Sequence, residues 1–336
     1  MKYRLYTLKF STPVHFADSD FGGNLEKTSI SCSADTYFNA LCFEASRQSN
    51  ELVEKIIDLF SHKKLQLSSL FPYHKDEKND ELELYLPKPY FNTDKLSEID
   101  SYDAQKIYSN KLKKINKVPY IRASELKSWL HSLNTTNLSE ITNPLFAVKR
   151  TDTKVFCRAE EAMPYFISSY HFNKNMGLYF ILGFEDDLSI DLIEPLIESL
   201  GYSGIGAKKS SGYGKYEFDE DPLELDTESG IYKDDLSLAK MLNNDKSLLQ
   251  LAIAPLIPMS KDLDRIRVDF SYRIIKRSGY IYDKNTHRKM RKNDIYMLAE
   301  GSLMRNRYKG LMLKEEYSNI SYPIYRNGIG MFVGLD

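Results

Sequence analysis

The sequence predicts an α+β protein of two domains, and three observations support this fold class. Short segments that alternate apolar and polar residues, typical of half-buried strands, recur along the chain. Stretches with apolar residues at helical spacing lie between some of these segments. The chain has 336 residues, of which 42% are hydrophobic and 28% charged, so it is long enough for two domains and has the composition of a folded protein.

The first two predicted elements are a strand and a helix. Residues 3–10 (YRLYTLKF) alternate in polarity, which predicts a strand. Residues 33–47 (SADTYFNALCFEASR) carry apolar residues at helical spacing, which predicts a helix. Ser33 and Asp35 stand at its start. We expect them to cap the helix, with the Asp35 carboxylate accepting backbone N–H groups rather than acting in catalysis.

Three further elements are predicted between residues 178 and 218. Residues 178–184 (LYFILGF) form a continuous apolar run that is short enough for a buried strand. A helical stripe follows, and Gly201 suits the position just past a helix end. The stripe consists of Leu192, Ile193, Leu196, Ile197 and Leu200. Pro195 interrupts the stripe, so this helix either begins near the proline or is kinked there. Residues 213–218 (YGKYEF) alternate again and predict a strand.

The order of these elements predicts a ferredoxin-like first domain. With a hairpin added in the middle, they give the βαββαβ order of that fold, which is also the RRM scaffold. Residues 90–165 are too long for one connection in this unit and predict an inserted arm. We therefore expect a first domain over 1–218, which contains the arm, and a second ferredoxin-like domain over 219–336. Residues 258–268 give the second domain only a weak helical pattern.

Charge is unevenly distributed, although the formal net charge is −1. Residues 219–235 hold eight acidic residues and one lysine, and we expect them to form the crossover between the domains. Residues 236–336 hold 18 Lys and Arg against 10 Asp and Glu, a surplus of eight. A local surplus matters more than the total charge when a protein binds a polyanion, so this region is compatible with RNA binding.

Metal, cofactor and membrane sites are not predicted. Cys32, Cys42 and Cys157 form no CxxC pair and, with six scattered histidines, give no metal-ligand spacing. We therefore expect no metal, no cofactor and a reducing cytoplasm. The sequence contains no apolar run of about 18 residues or more, so a membrane span is not predicted. The N-terminal MKYRLYTLKF lacks the apolar core of a targeting peptide.

The most informative motif is the glycine-rich loop 201–214 (GYSGIGAKKSSGYG). A dinucleotide fingerprint is excluded because it needs a strand before the glycines and a helix after them, and here the order is reversed. A P-loop is excluded because Ala207 stands where its phosphate-binding lysine must be. We interpret the loop as an anion-binding turn without catalysis. A flexible loop with scattered charges is the alternative.

Each residue type in the glycine-rich loop suits a grip on the backbone of a single RNA strand. Glycines let backbone N–H groups approach a phosphate closely, while lysines add charge and serines add hydroxyl donors. A tyrosine could stack on a base. The candidate contacts are Gly204, Gly206, Lys208, Lys209, Ser210, Ser211, Gly212 and Tyr213.

Together with this loop, motifs in order over nearly the whole chain resemble the RAMP proteins of CRISPR effector complexes. More narrowly, they resemble the fourth subunit of the type III-A Csm complex. The motifs are 13–16 (PVHF), 33–41 (SADTYFNAL), 86–89 (LPKP), 113–115 (KKI), 119–120 (PY), 276–280 (KRSGY), 301–302 (GS) and 322–326 (YPIYR). Ala17 and Ala207 depart from the family pattern, which has glycine at both places. A positive φ at Ala207 would therefore strain the loop.

The resemblance implies a non-catalytic cytoplasmic subunit of a ribonucleoprotein in antiviral defence, built from RAMP domains with a thumb-like arm. It implies that the chain binds the 5′ tag of the guide RNA (crRNA), docks the large polymerase-like Csm subunit and abuts the backbone RNA-cleaving Csm subunit. It also places the arm near the first base pairs with target RNA and implies no membrane partner. His15, Phe16 and Lys88 thereby become candidate RNA contacts, and Arg277, beside a predicted turn, is another.

Alternatives remain open from the sequence alone. His15 could be a satisfied structural histidine, or the acid–base group of a metal-independent ribonuclease that processes guide RNA. The chain could instead be the equivalent subunit of the type III-B complex. Tyr280 and Tyr282 could stack on bases. As residues i and i+2 of a strand, however, we expect them on its core face.

Overall fold

The computed structural model describes residues 1–18, 24–91, 101–133, 138–158, 161–269, 271–283, 288–318, 320 and 322–336. Its helices are α1 (Ala34–Ala45), α2 (Asn50–Ser61), α3 (Tyr102–Lys117), α4 (Leu126–Leu133), α5 (Asp187–Ser203), α6 (Lys233–Asn243) and α7 (Leu263–Ile266). Its strands in the N-terminal two thirds are β1 (Lys2–Phe10), β2 (Phe16–Ala17), β3 (Thr28–Ser29), β4 (Leu65–Leu67), β5 (Phe71–Asp76), β6 (Glu81–Pro87), β7 (Tyr120–Arg122), β8 (Ala147–Arg158), β9 (Glu161–Phe172), β10 (Met176–Phe184), β11 (Tyr216–Phe218) and β12 (Leu223–Glu224). The remaining strands are β13 (Gln250–Ala252), β14 (Ile274–Arg277), β15 (Tyr280–Asp283), β16 (Arg288–Arg291), β17 (Ile295–Leu298), β18 (Leu303–Met304), β19 (Gly310–Glu315), β20 (Ile324–Ile329) and β21 (Phe332–Gly334).

The largest sheet has the strand order β11–β1–β10–β5–β6–β7, with β12 also pairing with β1 and β4 with β10. Its strands pair in antiparallel fashion. The pairing of β1 with β10 runs from Lys2↔Phe184 to Leu8↔Leu178. The strands predicted at 3–10 and 178–184 are therefore confirmed, and they lie side by side at the centre of the sheet.

The helices α1 and α5 pack against each other and bury their apolar faces in the main core. Phe38 and Leu41 of α1 are fully buried, as are Ile193 and Ile197 of α5. These are positions at which the sequence showed helical spacing, so the apolar stripes predicted both helices and the faces that they bury. Apolar burial on this scale stabilises a fold by roughly 1.5–3 kcal/mol per large side chain.

The helix α5 differs from the prediction at its C-terminal end. It continues to Ser203, so Gly201 lies inside it, and Gly204 takes the C-cap position with a φ of 79°. An added Cβ at Gly201 would come within 2.5 Å of the Tyr216 carbonyl oxygen. The glycine at 201 therefore allows β11 to approach the helix closely instead of ending the helix. The helix begins at Asp187, ahead of Pro195, which excludes the idea that it starts at the proline.

Helices and antiparallel strands together confirm the α+β class. The strands that flank α1 and α5 in the chain lie in the order β11–β1–β10–β5. The assignment of two ferredoxin-like domains stays a prediction, as does a boundary between residues 218 and 219. The main core is continuous with residues beyond that boundary, because it includes Leu238 and Val333.

The predicted arm over 90–165 contains α3, β7, α4 and β8, while residues 92–100, 134–137 and 159–160 within it lie outside the described part. β8 pairs with β9 from Ala147↔Phe172 to Arg158↔Glu161, and these two strands are called the long hairpin below. The second strand thus extends past residue 165. β7 pairs with β6 and so anchors the arm to the main sheet.

The described C-terminal strands form small sheets: β18–β13–β21, β14–β17, β15–β16 and β19–β20. The weak helical pattern at 258–268 corresponds to a 3-10 turn at Ser260–Asp262 followed by α7. Among the described residues, no helix is long and apolar enough to span a membrane.

The acidic segment 219–235 is more than a crossover. Its strand β12 pairs with β1. The buried Asp234 carboxylate accepts hydrogen bonds from the backbone N–H of Leu84 at 2.9 Å, from the N–H of Ser124 at 3.1 Å and from Arg122 Nε at 2.8 Å. This carboxylate therefore joins β6, the arm and α6 at a single buried point.

Candidate nucleic-acid interface

A cleft of about 1130 Å³ opens where several distant segments of the chain meet, and it is called the central cleft below. It brings together five of the residues that the sequence predicted as RNA contacts. These are Phe16, Lys88, Gly206, Lys209 and Arg277. The other predicted residues, which are His15, Gly204, Lys208, Ser210, Ser211, Gly212 and Tyr213, do not line it. The structure thus collects candidates that are far apart in the sequence into one concave surface.

The glycines of the glycine-rich loop are required by its geometry. Gly204 and Gly206 have φ angles of 79° and 85°, which residues other than glycine rarely adopt. A Cβ at Gly206 would lie 2.5 Å from the His15 carbonyl oxygen, and one at Gly204 would overlap the Tyr213 carbonyl. At both positions the loop backbone therefore packs so closely against another backbone carbonyl that a side chain would clash with it.

The backbone strain expected at Ala207 falls instead on Lys208, which has a φ of 62°. Ala207 keeps an ordinary φ and donates its N–H to the His15 carbonyl at 2.9 Å. A left-handed conformation at a residue other than glycine costs roughly 1–2 kcal/mol. The departure from glycine at 207 therefore leaves the loop intact, and the strained position is a cationic one.

The two lysines of the loop rest on aromatic rings. Lys208 Nζ lies 4.6 Å from the Tyr165 ring centroid and 3.2 Å from its hydroxyl. Lys209 Nζ lies 4.8 Å from the Phe43 ring centroid, and burial lowers the pKa of this amine below its ordinary value. Neither amine has an ion-pair partner among the described residues. Their charge thus remains available to an anionic ligand.

The apex of the loop points away from the core. Ser210 and Ser211 are exposed and form a 3-10 turn with Lys209. Gly212 has a φ of 84° and open space around its Cα, because an added Cβ would meet nothing within 4 Å. These residues lie outside the central cleft, so any contact that they make with RNA occurs on the outer side of the loop.

His15 and Tyr213 are placed differently from the prediction. His15 is only 2% exposed, and its Nδ1–H donates to the Ser168 carbonyl at 2.7 Å. Tyr213 is 7% exposed, which leaves almost no ring surface for a base. Burial therefore contradicts side-chain contact of His15 with tag RNA and base stacking by Tyr213. The alternative of a satisfied structural histidine describes His15. Phe16 is also buried, although its edge lines the cleft.

Lys88 is held rather than freely presented. Its Nζ donates to the Ile115 carbonyl at 2.8 Å and lies 6.0 Å from the Phe91 ring centroid. Burial lowers the pKa of this lysine below its ordinary value. The flanking prolines and the contact with α3 thus fix a cation at the wall of the central cleft.

Arg277 and Asp35 form a buried ion pair, which corrects the expectation for Asp35. The guanidinium contacts both carboxylate oxygens and also donates to the Thr36 hydroxyl at 2.6 Å. Ser33 is the N-cap residue of α1, but neither its side chain nor that of Asp35 accepts the helix N–H groups. The Ala34 N–H is bound by the Ser69 hydroxyl instead. Burial acts to lower the pKa of Arg277, but the Asp35 carboxylate outweighs it and raises that pKa.

Two cleft residues were missed or misjudged from the sequence. Glu300 lines the cleft, where its Oε1 accepts hydrogen bonds from Ser33 Oγ at 2.7 Å and Ser69 Oγ at 2.5 Å. Its only sequence signal was its place directly before the Gly301–Ser302 motif. Tyr280 is 64% exposed and lines the cleft, so the expectation that it packs in the core was wrong. The side chain of Tyr282 lies outside the described residues.

The cleft offers hydrogen-bonding, charged and aromatic groups. In the part of the chain that the structure describes, no three His, Cys, Asp or Glu side chains lie close enough together to hold a metal ion. Residues 284–287, in the basic region 236–336, also lie outside that part. The arrangement therefore supports binding of a nucleotide chain through lysines, peptide N–H groups and aromatic faces.

Comparison with known sequences gives a consistent picture. A family model described as the CRISPR Csm4 C-terminal domain matches residues 245–335, within the predicted second domain. The chain is 26% identical over 336 residues to a Csm4 protein of Streptococcus thermophilus, which covers 100% of both chains. It is 26% identical over 345 residues to a Csm4 protein of Mycobacterium tuberculosis (strain CDC 1551 / Oshkosh), covering 100% of this chain and 98% of the relative.

Comparison with solved structures shows the same fold. A crystal structure of a Csm3–Csm4 subcomplex in the type III-A CRISPR-Cas interference complex contains a similar chain with a TM-score of 0.63 and 18% identity, covering 100% of both chains. A crystal structure of a Csm1–Csm4 cassette in complex with cA4 contains one with a TM-score of 0.61 and 18% identity, covering 100% of this chain and 98% of the other. Both alignments cover 100% of this chain.

Proposed function

This chain belongs to the Csm4 family, and from that premise we propose that it is the type III-A CRISPR effector subunit that holds the 5′ tag of the guide RNA without cleaving it. The RNA lies in the central cleft and against the glycine-rich loop. Specificity for the target then comes from base pairing with the guide, while the protein supplies grip and geometry. In this proposal the two domains are ferredoxin-like RAMP domains that meet near residue 218.

The observation that carries the proposal is the convergence of five predicted contacts on one cleft. Lys88 and Lys209 bring cationic groups to its walls, while the Arg277 charge is paired with Asp35. Phe43 and Tyr280 offer partly exposed rings, at 42% and 64% exposure, on which bases can stack. A concave surface with cations and aromatic faces suits a single RNA strand better than a small metabolite.

The partners follow from the relatives. Solved structures contain Csm4 chains together with Csm1 or with Csm3. We assign to this chain the corresponding partners: a large polymerase-like subunit and a backbone subunit that cleaves RNA. The long hairpin exposes apolar side chains near its tip, and we assign it to the first base pairs between guide and target. Those side chains are Val155, Phe156, Met163 and Phe166, which are 51–57% exposed.

The ribonuclease alternative has less support. A general base must reach the proton that it removes, to within hydrogen-bonding distance. The His15 ring is 2% exposed, and its Nδ1–H is committed to a backbone carbonyl. The type III-B alternative is also weaker, because the matching family model and the curated relatives carry the Csm4 name.

A pull-down and a denaturing gel test the proposal together. Tagged protein is co-expressed with the other Csm subunits and a guide RNA array, and the purified complex is crosslinked by ultraviolet light. We expect the 5′ end of the guide to crosslink to residues of the central cleft, with Tyr280 and Phe43 as the aromatic candidates. We also expect purified protein incubated with guide precursor to leave it uncut. Crosslinks only to the outer surface, or cleavage that His15→Ala abolishes, would contradict the proposal.

A further inference from the structure

The segment Pro13–His15 lies between the glycine-rich loop and the long hairpin and is bonded to both. Towards the loop, the Pro13 carbonyl accepts the Gly214 N–H at 2.8 Å and the His15 carbonyl accepts the Ala207 N–H at 2.9 Å. Towards the hairpin, Val14 exchanges two backbone hydrogen bonds with Tyr170, each 2.9 Å long. An extended chain points its backbone groups alternately to either side, which explains this division.

His15 is the residue of this segment that contacts both neighbours. Its carbonyl binds the loop, and its buried ring donates from Nδ1 to the Ser168 carbonyl of β9 at 2.7 Å. The Ser168 N–H in turn binds the Leu25 carbonyl at 2.8 Å, so the strand is held on both sides at this point. The absence of a side chain at Gly206 lets the loop come this close to His15.

A side-chain contact links the same two elements farther out. Lys208, at the strained position of the loop, reaches Tyr165 of β9. The loop and the hairpin are therefore joined at two places, one through the segment Pro13–His15, where the His15 ring is buried, and one partly exposed at Lys208. Hydrogen bonds in a buried site are costly to leave unmade, so the His15 link resists separate movement of its two sides.

We propose that His15 is a positioning residue that couples the glycine-rich loop to the long hairpin. Whatever fixes the loop then also fixes the hairpin, and the reverse holds to the same degree because such coupling is reciprocal. If the proposed function is correct, guide RNA held by the loop sets the position of the hairpin before target RNA arrives. The role is mechanical, and no proton is transferred.

Amide hydrogen exchange on the full-length protein without RNA tests the coupling directly. His15→Ala should speed exchange roughly five- to tenfold both in loop residues 204–214 and in hairpin residues 161–172, since one buried hydrogen bond is lost on the hairpin side. His15→Asn places an amide donor where Nδ1 lies and should return the hairpin rates to near those of the unchanged protein. His62→Ala, at an exposed histidine bonded within its own helix, is the matched control.

Three outcomes would overturn the coupling. One is a change in the loop without a change in the hairpin. Another is an equal rise in exchange through β1 and β10, which would mark a general loss of stability. The third is a failure of His15→Asn to restore the hairpin. If His15→Ala does not fold, His15→Gln replaces it, because its amide lies near the Nε2 position and misses the Ser168 carbonyl.

A second arm adds a synthetic oligoribonucleotide that carries the 5′ end of the guide. In the unchanged protein we expect bound RNA to slow exchange in residues 161–172, and in His15→Ala to slow it only in the loop. RNA that binds without slowing the hairpin in the unchanged protein contradicts the coupling and leaves the proposed function standing. RNA that fails to bind, in a protein whose loop and hairpin respond together to His15→Ala, contradicts the proposed function alone.

Discussion

Arg277 holds both carboxylate oxygens of Asp35, with Nη2 2.5 Å from Oδ1 and Nε 3.0 Å from Oδ2. The two side chains are 12% and 7% exposed, and they join β14 to the start of α1. Both elements border the central cleft. A bidentate pair inside the protein forms two well-aligned, charge-assisted hydrogen bonds. If one partner is removed, the other is left as an uncompensated buried charge. The two residues should therefore act as one unit in stability.

The first prediction concerns this pair. Asp35→Ala should lower the free energy of unfolding by about 3–5 kcal/mol, because it leaves the Arg277 charge buried and unpaired. The double change Asp35→Leu with Arg277→Met should cost clearly less, since it removes both charges and keeps apolar volume. Urea denaturation of the full-length chain measures both. Asp58→Ala, at an exposed acid paired with His62, is the control, and a double variant as unstable as the sum of the single ones would refute the idea.

The second prediction concerns the charge of the glycine-rich loop. Lys208→Ala with Lys209→Ala should weaken guide binding and reduce the slope of log K against log salt by roughly 1.4, since each phosphate contact on a single strand contributes about 0.7. Fluorescence anisotropy at several salt concentrations measures the slope. Lys240→Ala with Lys246→Ala removes two exposed lysines outside the cleft and should leave the slope unchanged. Equal slopes in both double variants would show that the loop lysines face solvent.

The third prediction separates two reasons for glycine. Gly206 and Gly212 both have positive φ, but only Gly206 has a backbone oxygen where a Cβ would lie. Gly212→Ala should destabilise the loop by roughly 1–2 kcal/mol through φ alone. Gly206→Ala should add about 1–3 kcal/mol of overpacking against His15. Thermal and urea unfolding give the values, and equal costs at the two positions would argue against the close approach.

The fourth prediction follows from the strain at Lys208. Lys208→Gly and Lys208→Ala both remove the amine and its contact with Tyr165. Glycine also relieves the left-handed backbone, so Lys208→Gly should be more stable than Lys208→Ala by about 1 kcal/mol. Guide affinity should fall in both variants. Urea denaturation compares them, and an alanine variant as stable as the glycine variant would mean that the residue leaves the left-handed region readily.

The fifth prediction is a pH dependence of guide binding. Burial lowers the pKa of Lys209, an effect that nearby Glu44 opposes and Arg47 reinforces. The protonated amine binds phosphate, so affinity should fall as the pH rises towards the lowered pKa, at lower pH than for an ordinary lysine near pH 10.4. Lys209→Arg keeps its charge over the whole range and should flatten the decline. Anisotropy titrations from about pH 7 to about pH 10 measure it.

Lys88 must be tested beside Lys209, because burial lowers its pKa as well. Lys88→Arg should remove whatever decline remains in Lys209→Arg. A pH profile that stays unchanged in both arginine variants would contradict the role of these amines in binding.

Local sequence signals predicted the elements but not their closing contacts. Apolar residues located β1, α1, β10 and α5, because the apolar pattern of a strand or a helix can be recognised from residues that are close together in the sequence. The extension of α5 past Gly201 could not be read this way. There the glycine serves close packing with Tyr216, a residue on another element. A local rule for helix ends cannot distinguish these two uses of glycine.

Site residues show the same limit. The glycine-rich loop was visible because glycine, lysine and serine lie next to one another in the chain. The burial of His15 and the pairing of Arg277 with Asp35 depend on partners far away in sequence, Ser168 in one case and α1 in the other. Only the folded chain shows that one histidine is a structural link and that one arginine is already neutralised.

The buried carboxylate of Asp234 bears on how this protein can be shortened. Two of its three hydrogen-bond donors, Arg122 and the Ser124 backbone, are supplied by the insertion. Deleting that insertion to obtain a shorter protein would leave the buried Asp234 carboxylate without these two donors. A trimmed version should therefore replace Asp234 by a neutral side chain in the same step.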